Sequence, residues 1–398
     1  MDSFNLKRIR ESLPKELPNF QGFFSAHTSM NPDEDEDASP APRAQAYEDS
    51  NTPQTDAKRR ELVLAEPKPI PPGPRSNLGL MDECDNFPYY QTEPKLFFAH
   101  INTYYALHVK NFPDTELGYM LPSVVEVFRG LPDWELDDTN RTLTLVTGTT
   151  EQERSKAVAA TCQAMRVTKH FKCLAGWRDE LYPVYGLRTP HGKRNVLFSV
   201  ERSACPLFGV VSYGCHMTAY VRSTSEDEHK KNLRLWVPRR AATKQTYGGM
   251  LDNTVAGGIA TGESALESMI RECTEEASLS EDLVRKNAVA AGTVTYFHIR
   301  GPKAGGETRL LQPECQYVYD LELTEDVVPK PSDDEVESFE LLDINEVQKR
   351  LRNGEFKPNC ALVLIDFFVR HGILTAENEP DYVEIVARLH RRFEFPCA

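Results

Sequence analysis

The chain has 398 residues, enough for two folded domains of ordinary size with a remainder. Forty per cent of its residues are apolar and 9% aromatic, as in a globular protein, and the longest apolar stretch, Ala361–Val369, is interrupted by Asp366, which argues against a membrane-spanning helix. The formal charge of −14 argues against a nucleic-acid-binding surface but leaves room for an anionic small molecule held by local Arg, Lys and a cation.

Residues 1–80 read as a disordered tail. They hold the acidic run Asp33–Asp37 and the segment Pro67-Lys68-Pro69-Ile70-Pro71-Pro72, too polar to offset the entropy of ordering. Phe20, Phe23 and Phe24 are sporadic hydrophobes within it. No apolar signal core is present, and Asp2, Glu11 and Glu16 spoil the transit peptide that Lys7, Arg8 and Arg10 would begin. The nine cysteines are scattered, odd in number and lack a C-x-x-C pair, which predicts free thiols in a reducing compartment. The cytosol is therefore expected, with the mitochondrion as the alternative. No nucleic-acid, membrane or obligate protein partner is expected.

From Met81 the pattern becomes that of an α/β domain, expected over residues 81–208. Leu117–Phe128 predicts a helix, Thr142–Val146 a short strand and Glu151–Met165 a second helix. Val184–Leu187 and Asn195–Val200 predict a hairpin across a turn at His191-Gly192. A second domain is expected over residues 209–355. Val210–Val221, Leu233–Val237, Ala290–Ile299 and Cys315–Leu323 read as strands, and Ile344–Arg352 as a helix. Residues 356–398 read as a helical extension: Ala361–Gly372, a turn at Ala376–Pro380, then Val383–Arg391.

The chemistry is concentrated between Gly257 and Leu279. Gly257, Gly258 and Gly262 make a loop whose backbone can approach a ligand closely. After Glu263 the period becomes helical, with Ala265, Leu266, Met269, Ile270, Cys273 and Ala277 on one face. Glu267 precedes Arg271 by one turn, the favourable orientation for an ion pair. Glu272, Glu275 and Glu276 fall in one sector beside the apolar stripe. Like charges at this spacing destabilise a helix by a few tenths of a kcal/mol per pair, and the C-terminal macrodipole opposes Glu275 and Glu276 further. An ordinary solvated acidic face is the bland explanation. Against it, the glycine approach and the placed arginine point to a hard cation, Mg²⁺ or else Mn²⁺, which suits carboxylate oxygens and retains positions for water and phosphate.

Gly257, Glu263 and the run Arg271-Glu272-Cys273-Thr274-Glu275-Glu276-Ala277-Ser278-Leu279 resemble the Nudix box, a signature of 23 residues. Two positions depart from it. Cys273 replaces an aliphatic residue, a mild change, and Ser278 replaces a glycine, which argues against a left-handed helix cap there. The preceding Leu235–Arg240, Lys244 and Tyr247–Asn253 also resemble the approach to that box. More narrowly, Gly209–Pro396 resembles the thiamine pyrophosphokinase-related Nudix subfamily of fungi and plants, and Asp82–Phe87 the start of that subfamily's N-terminal domain.

The resemblance implies an α/β fold: a C-terminal Nudix α/β/α sandwich with a mixed sheet, after a smaller α/β domain. It implies Mg²⁺-assisted attack of water on a diphosphate, with Glu272, Glu275 and Glu276 as ligands and a carbonyl at Ala256–Gly258, taken as Gly257, as another. Counted from Gly258 the loop is one residue short, so these carbonyls stay open. Glu263, Arg271 and Gly258 would support the site. Glu272, Glu275 or Glu314 would be the base. Thiamine diphosphate or its oxidised analogues are the implied substrates. Arg239, Arg240 and Lys244 are candidates for phosphate contacts, and Tyr247, Trp236 and Tyr296 for stacking on a cationic ring. His216 and His298 read as structural. The alternatives are a hydrolase of oxidised nucleotides such as 8-oxo-dGTP and a non-catalytic diphosphate sensor. Kinase activity is not expected, since the chain lacks a G-x-x-x-x-G-K-[ST] loop and has no room after the box region for a kinase domain.

Overall fold

The computed structural model describes residues 66, 70, 72–189, 195–222 and 233–398. Most of the tail expected at 1–80, and the turn expected at His191-Gly192, lie outside the described residues. The helix Asn77–Cys84 crosses position 80, is capped by Ser76 and buries Leu80, Met81 and Cys84.

The N-terminal half builds a four-stranded sheet from β1 (Tyr105–Val109), β2 (Tyr119–Met120), β3 (Trp134–Asp137) and β4 (Thr142–Leu145), in the order β2-β1-β4-β3. Leu117–Phe128, expected as one helix, is divided. Tyr119–Met120 pairs with β1, and helical turns occupy only Pro122–Val125 and Glu126–Phe128. Pro122 explains the split, because proline fits the first helical turn but cannot continue a helix that precedes it. The helix Glu151–Val167 forms as expected behind a capping box of Thr150 and Glu153. It packs on the hairpin of β5 (Leu181–Tyr185) and β6 (Val196–Glu201).

The second sheet is mixed, in the order β10-β11-β7-β8-β12 with β9 also on β7. Its strands are β7 (Ser212–Arg222), β8 (Leu233–Arg240), β9 (Val255–Gly258), β10 (Val289–Ile299), β11 (Leu311–Leu323) and β12 (Val336–Asp343). β11 and β7 are parallel and the other pairs antiparallel. Along β7, Tyr213, Cys215, Met217, Ala219 and Val221 enter one core together with Phe128, Leu143 and Phe198 from the N-terminal half. Tyr220, of the opposite parity, enters a second core under the helix Pro358–Arg370. One hydrophobic core thus runs across position 208, and helices cover both faces of the sheet.

The Asp82–Phe87 segment closes the free edge of β10. Phe297 N donates to Asp85 Oδ1 at 2.9 Å, Ile299 N to Asn86 Oδ1 at 2.6 Å, and Phe87 N to Phe297 O at 3.0 Å. The end of β10 so covered has no free ladder to offer another chain. The nine cysteines are unpaired. Among the described residues no helix is long and apolar enough to cross a membrane.

Candidate active site

The helix carrying the carboxylates runs Ala265–Ala277, with Ser264 accepting from Glu267 N as its N-cap. Met269, Ile270, Cys273 and Ala277 seat it in the first core. At its end Ser278 adopts φ 54°, and Leu279 N donates to Cys273 O at 3.1 Å. The left-handed cap therefore forms without glycine, correcting the expectation from sequence. It costs about 1 kcal/mol for a residue with a Cβ, and Ser278 Oγ adds a hydrogen bond to Lys330 O at 3.1 Å.

Two glycines are dictated by close approach. A Cβ at Gly257 would lie 2.1 Å from the Glu272 carboxyl, and one at Gly258 would lie 1.5 Å from the Tyr182 hydroxyl. Arg271 grips Glu263 through Nε and Nη2 at 3.0 and 3.2 Å, and its Nη1 reaches Glu272 at 2.8 Å and Glu275 at 3.1 Å. Ser268 Oγ donates to Gly258 O at 2.8 Å, tying the loop to the helix.

The three glutamates, placed in one sector by sequence, separate in depth. Glu272 and Glu276 line a cavity of about 440 Å³, whereas Glu275 is 53% exposed beside Arg271 and does not line it. Burial pushes the Glu272 carboxyl up to about 7, against the opposing pull of Arg271. Burial, then the charges of Glu272 and Asp252, push Glu276 up to about 8. Among the described residues Glu276 accepts only from Ala256 N, at 3.1 Å. Two buried carboxylates this short of donors fit a hard divalent cation.

The opposite walls are cationic. Arg202 faces the cavity from the N-terminal half; it pairs with Glu180 at 2.9 Å, leaves 40% of its side chain exposed and lies 5.6 Å above the Tyr182 ring. Lys357 also lines the cavity and has no hydrogen-bond or ion-pair partner for its ammonium among the described residues. Arg240 is present but committed, to Asp252 at 2.6 Å and to the carbonyls of Thr246 and Tyr247 at 3.1 and 3.2 Å. Lys244 is paired with Glu335. The positive charge of these walls is local, within a chain of net charge −14.

Of the other expected residues, Tyr247 lines the cavity and holds φ 52°, a strained backbone for an aromatic residue. Tyr296, Glu314, His216 and His298 line it as well. Arg239 does not; its guanidinium donates to Gly249 O at 2.9 Å and faces Glu340. Trp236 is buried in the first core rather than stacked in the cavity. Sequence reasoning missed Tyr182, Arg202 and Lys357. Arg202 and Lys357 belong to no local motif, and only the glycine at 258 hinted that something would press against the loop.

The site thus sets a carboxylate helix against a cationic cavity on a mixed sheet. Residues 219–360 match the NUDIX domain family, and residues 101–212 match a family described as a domain of unknown function, DUF4743. A Saccharomyces cerevisiae protein, the uncharacterized protein YJR142W, is 37% identical over 81% of this chain and 92% of its own. Nudix hydrolases 20 and 24 of Arabidopsis thaliana, both chloroplastic by name, are 38% and 36% identical over 61% and 60% of this chain. The chain spans 59% and 60% of the length of those two. Residues 219–360 of the chain are thus a NUDIX domain.

Proposed function

We propose that this protein is a Mg²⁺-dependent diphosphatase that hydrolyses thiamine diphosphate, or its oxidised analogues, to the monophosphate and phosphate. The observation that carries the reading is the opposition, across one cavity, of Glu272 and Glu276 to Arg202 and Lys357. Glu272 and Glu276 would hold Mg²⁺, with Mn²⁺ as the alternative. The Gly258 carbonyl already accepts from Ser268, which favours Ala256 or Gly257 as the backbone ligand. Bound there, the cation supplies Lewis acidity toward the diphosphate oxygens and the attacking water.

Arg202 and Lys357 neutralise the terminal phosphate and orient it. Water attacks phosphorus, the anhydride P–O bond breaks, and the bridging oxygen leaves on the monophosphate. Glu275 lies outside the cavity lining, and would take the proton of that water by releasing Arg271 and turning in. Its half-exposed pair with Arg271 is worth at most about 1 kcal/mol and opens readily. Glu314 is unsuited, because Tyr296, Gln312 and Gln316 all donate to it.

The substrate rests on the resemblance of Gly209–Pro396 to the thiamine-related subfamily. The rings of Tyr182 and Tyr247 in the cavity support it, since they suit a flat cationic group. The test is Mg²⁺-dependent hydrolysis of thiamine diphosphate, its oxidised forms, oxidised dGTP, NADH and ADP-ribose, followed by the monophosphate ester each yields and compared by kcat/KM. The thiamine compounds should rank first; a preference for nucleotides would overturn the substrate and keep the reaction.

A further inference from the structure

After β8 the chain makes a loop, residues 241–250, that closes on its own origin. Arg240 N donates to Met250 O at 2.9 Å and Gly249 N to Arg240 O at 3.1 Å, while Arg239 Nη1 donates to Gly249 O. The near end of the loop is fastened from outside. Ala241 N donates to Glu335 O at 2.9 Å, and Lys244 pairs with the Glu335 carboxylate, which also takes Arg178 of the N-terminal half at 3.2 Å. Lys244, Gln245, Thr246 and Tyr247 line the cavity, so the loop is one of its walls.

The far turn of the loop takes its shape from the Arg240 side chain. Nε donates to Tyr247 O at 3.2 Å and Nη2 to Thr246 O at 3.1 Å. In an extended chain two successive carbonyls point to opposite sides. Here both face one guanidinium, and the residue between them, Tyr247, holds φ 52°, in the left-handed region that side chains rarely adopt. Such a backbone persists only where its surroundings over-determine it, and Arg240 supplies that constraint. Asp252 in turn sets the guanidinium, accepting from Nη1 at 2.6 Å with both groups buried. Its other oxygen accepts from Asn253 N at 2.9 Å and from the Cys360 thiol at 2.6 Å, which locks the carboxylate to the helix Pro358–Arg370. Each nitrogen of Arg240 therefore already donates within the protein, unlike the exposed face of Arg202.

We propose that Asp252 and Arg240 are positioning residues for substrate binding. Asp252 aims Arg240, Arg240 holds the carbonyls of Thr246 and Tyr247, and Tyr247 is thereby kept as a wall of the cavity against the bound substrate. Arg240 acts through Tyr247 and makes no contact with the phosphates. The inference rests on the cavity being the hydrolytic site.

The experiment measures kcat and KM with Mg²⁺ for thiamine diphosphate, or for whichever compound of the panel above is hydrolysed best. It compares wild type with Arg240→Gln, Arg240→Lys, Tyr247→Ala and the double variant of Arg240→Gln with Tyr247→Ala. Arg240→Gln and Tyr247→Ala should each raise KM about tenfold and leave kcat within about threefold. The double variant should add no more than about twofold to the larger single loss, because both changes remove one contact. Arg240→Lys should not recover the loss, since an ammonium keeps the charge but cannot reach Asp252 and both carbonyls together. An unchanged KM in either single variant, losses that multiply in the double variant, or recovery by lysine would overturn the proposal. Thermal unfolding identifies a variant that does not fold. Arg240→Lys, which keeps the counter-charge of Asp252, then replaces Arg240→Gln alone and in the double variant. Should the wild type hydrolyse nothing in the panel, the hydrolytic reading falls separately, and hydrogen exchange of the amides of residues 241–250 decides. Exchange about tenfold faster in the Arg240 variant supports the pair as the holder of this wall, and equal exchange overturns it.

Discussion

The hydroxyl of Tyr182 fills the space that a side chain at Gly258 would need, 1.5 Å from where a Cβ would stand. Around this contact Thr261 N donates to Leu181 O at 2.8 Å and Thr261 Oγ1 to Ser199 Oγ at 2.9 Å. The β5–β6 hairpin is thereby fastened to the loop that precedes the carboxylate helix. Gly258→Ala should lose about 1–3 kcal/mol by overpacking, seen as a drop of several degrees in Tm. Tyr182→Ala in the same chain should restore part of it. A simple sum of the two losses in the double-mutant cycle would show that the contact is not shared.

Arg202, paired with Glu180 but 40% exposed, is a charge that the N-terminal half turns to the cavity. Arg202→Ala should reduce kcat/KM by about ten- to a hundredfold, the range for losing a charged hydrogen-bond partner. Arg202→Lys should recover part of the loss by keeping the charge without the fork. Steady-state kinetics with the Tm unchanged is the check. A loss below about threefold would remove Arg202 from the site.

Glu276, raised by burial from 4.5 to about 8, makes metal-free stability depend on pH. Its folded pKa exceeds its unfolded value, so its contribution is full below about pH 4.5 and is lost as the pH rises through about 8. Without metal, Glu276→Gln should gain in Tm over wild type as the pH goes from about 5 to about 8.5. His216 and His298, both pulled down to about 4 by burial, titrate the other way but are common to the two proteins. Mg²⁺ at about pH 8 should stabilise wild type more than the variant. A difference that stays flat with pH would count against a buried Glu276.

Asp85 and Arg391 form an ion pair at 3.0 Å with both side chains fully buried. Asp85 also holds Phe297 N, and Arg391 donates to Phe87 O at 2.6 Å and Pro88 O at 2.7 Å. Asp85→Ala leaves the guanidinium buried without its counter-charge, and should cost about 3–5 kcal/mol in denaturant unfolding. It also uncovers the β10 edge, so concentration-dependent aggregation should accompany it. A cost under about 1 kcal/mol would mean that the edge is held by other contacts.

What the sequence disclosed was the local part. The helix up to Ala277 declares itself because the apolar stripe and the Glu263–Arg271 spacing lie within a few turns. Glu272 and Glu276 were legible as crowded charges, but their separation in depth from Glu275 was not, since that depends on which neighbours close over the helix. β12 was missed because its residues are mostly half-buried and show little alternation. Arg202, Tyr182, His298 and Gln316 come from segments far apart in the chain. Each reads alone as an ordinary strand or turn residue until the sheet and hairpin bring them to one cavity. Arg239 and Arg240 look equivalent in sequence, yet β8 sends only Arg240 to the cavity, because adjacent strand residues face opposite ways.

The most direct measurement is the Mg²⁺ dependence of phosphate release from thiamine diphosphate by wild type, Glu272→Gln and Glu275→Gln, each confirmed folded. Wild type should turn over only with the divalent ion, and each variant should lose about a hundredfold or more in kcat/KM, nearly 3 kcal/mol of transition-state stabilisation. Turnover by both variants within about threefold of wild type would contradict the placement of the reaction at this helix.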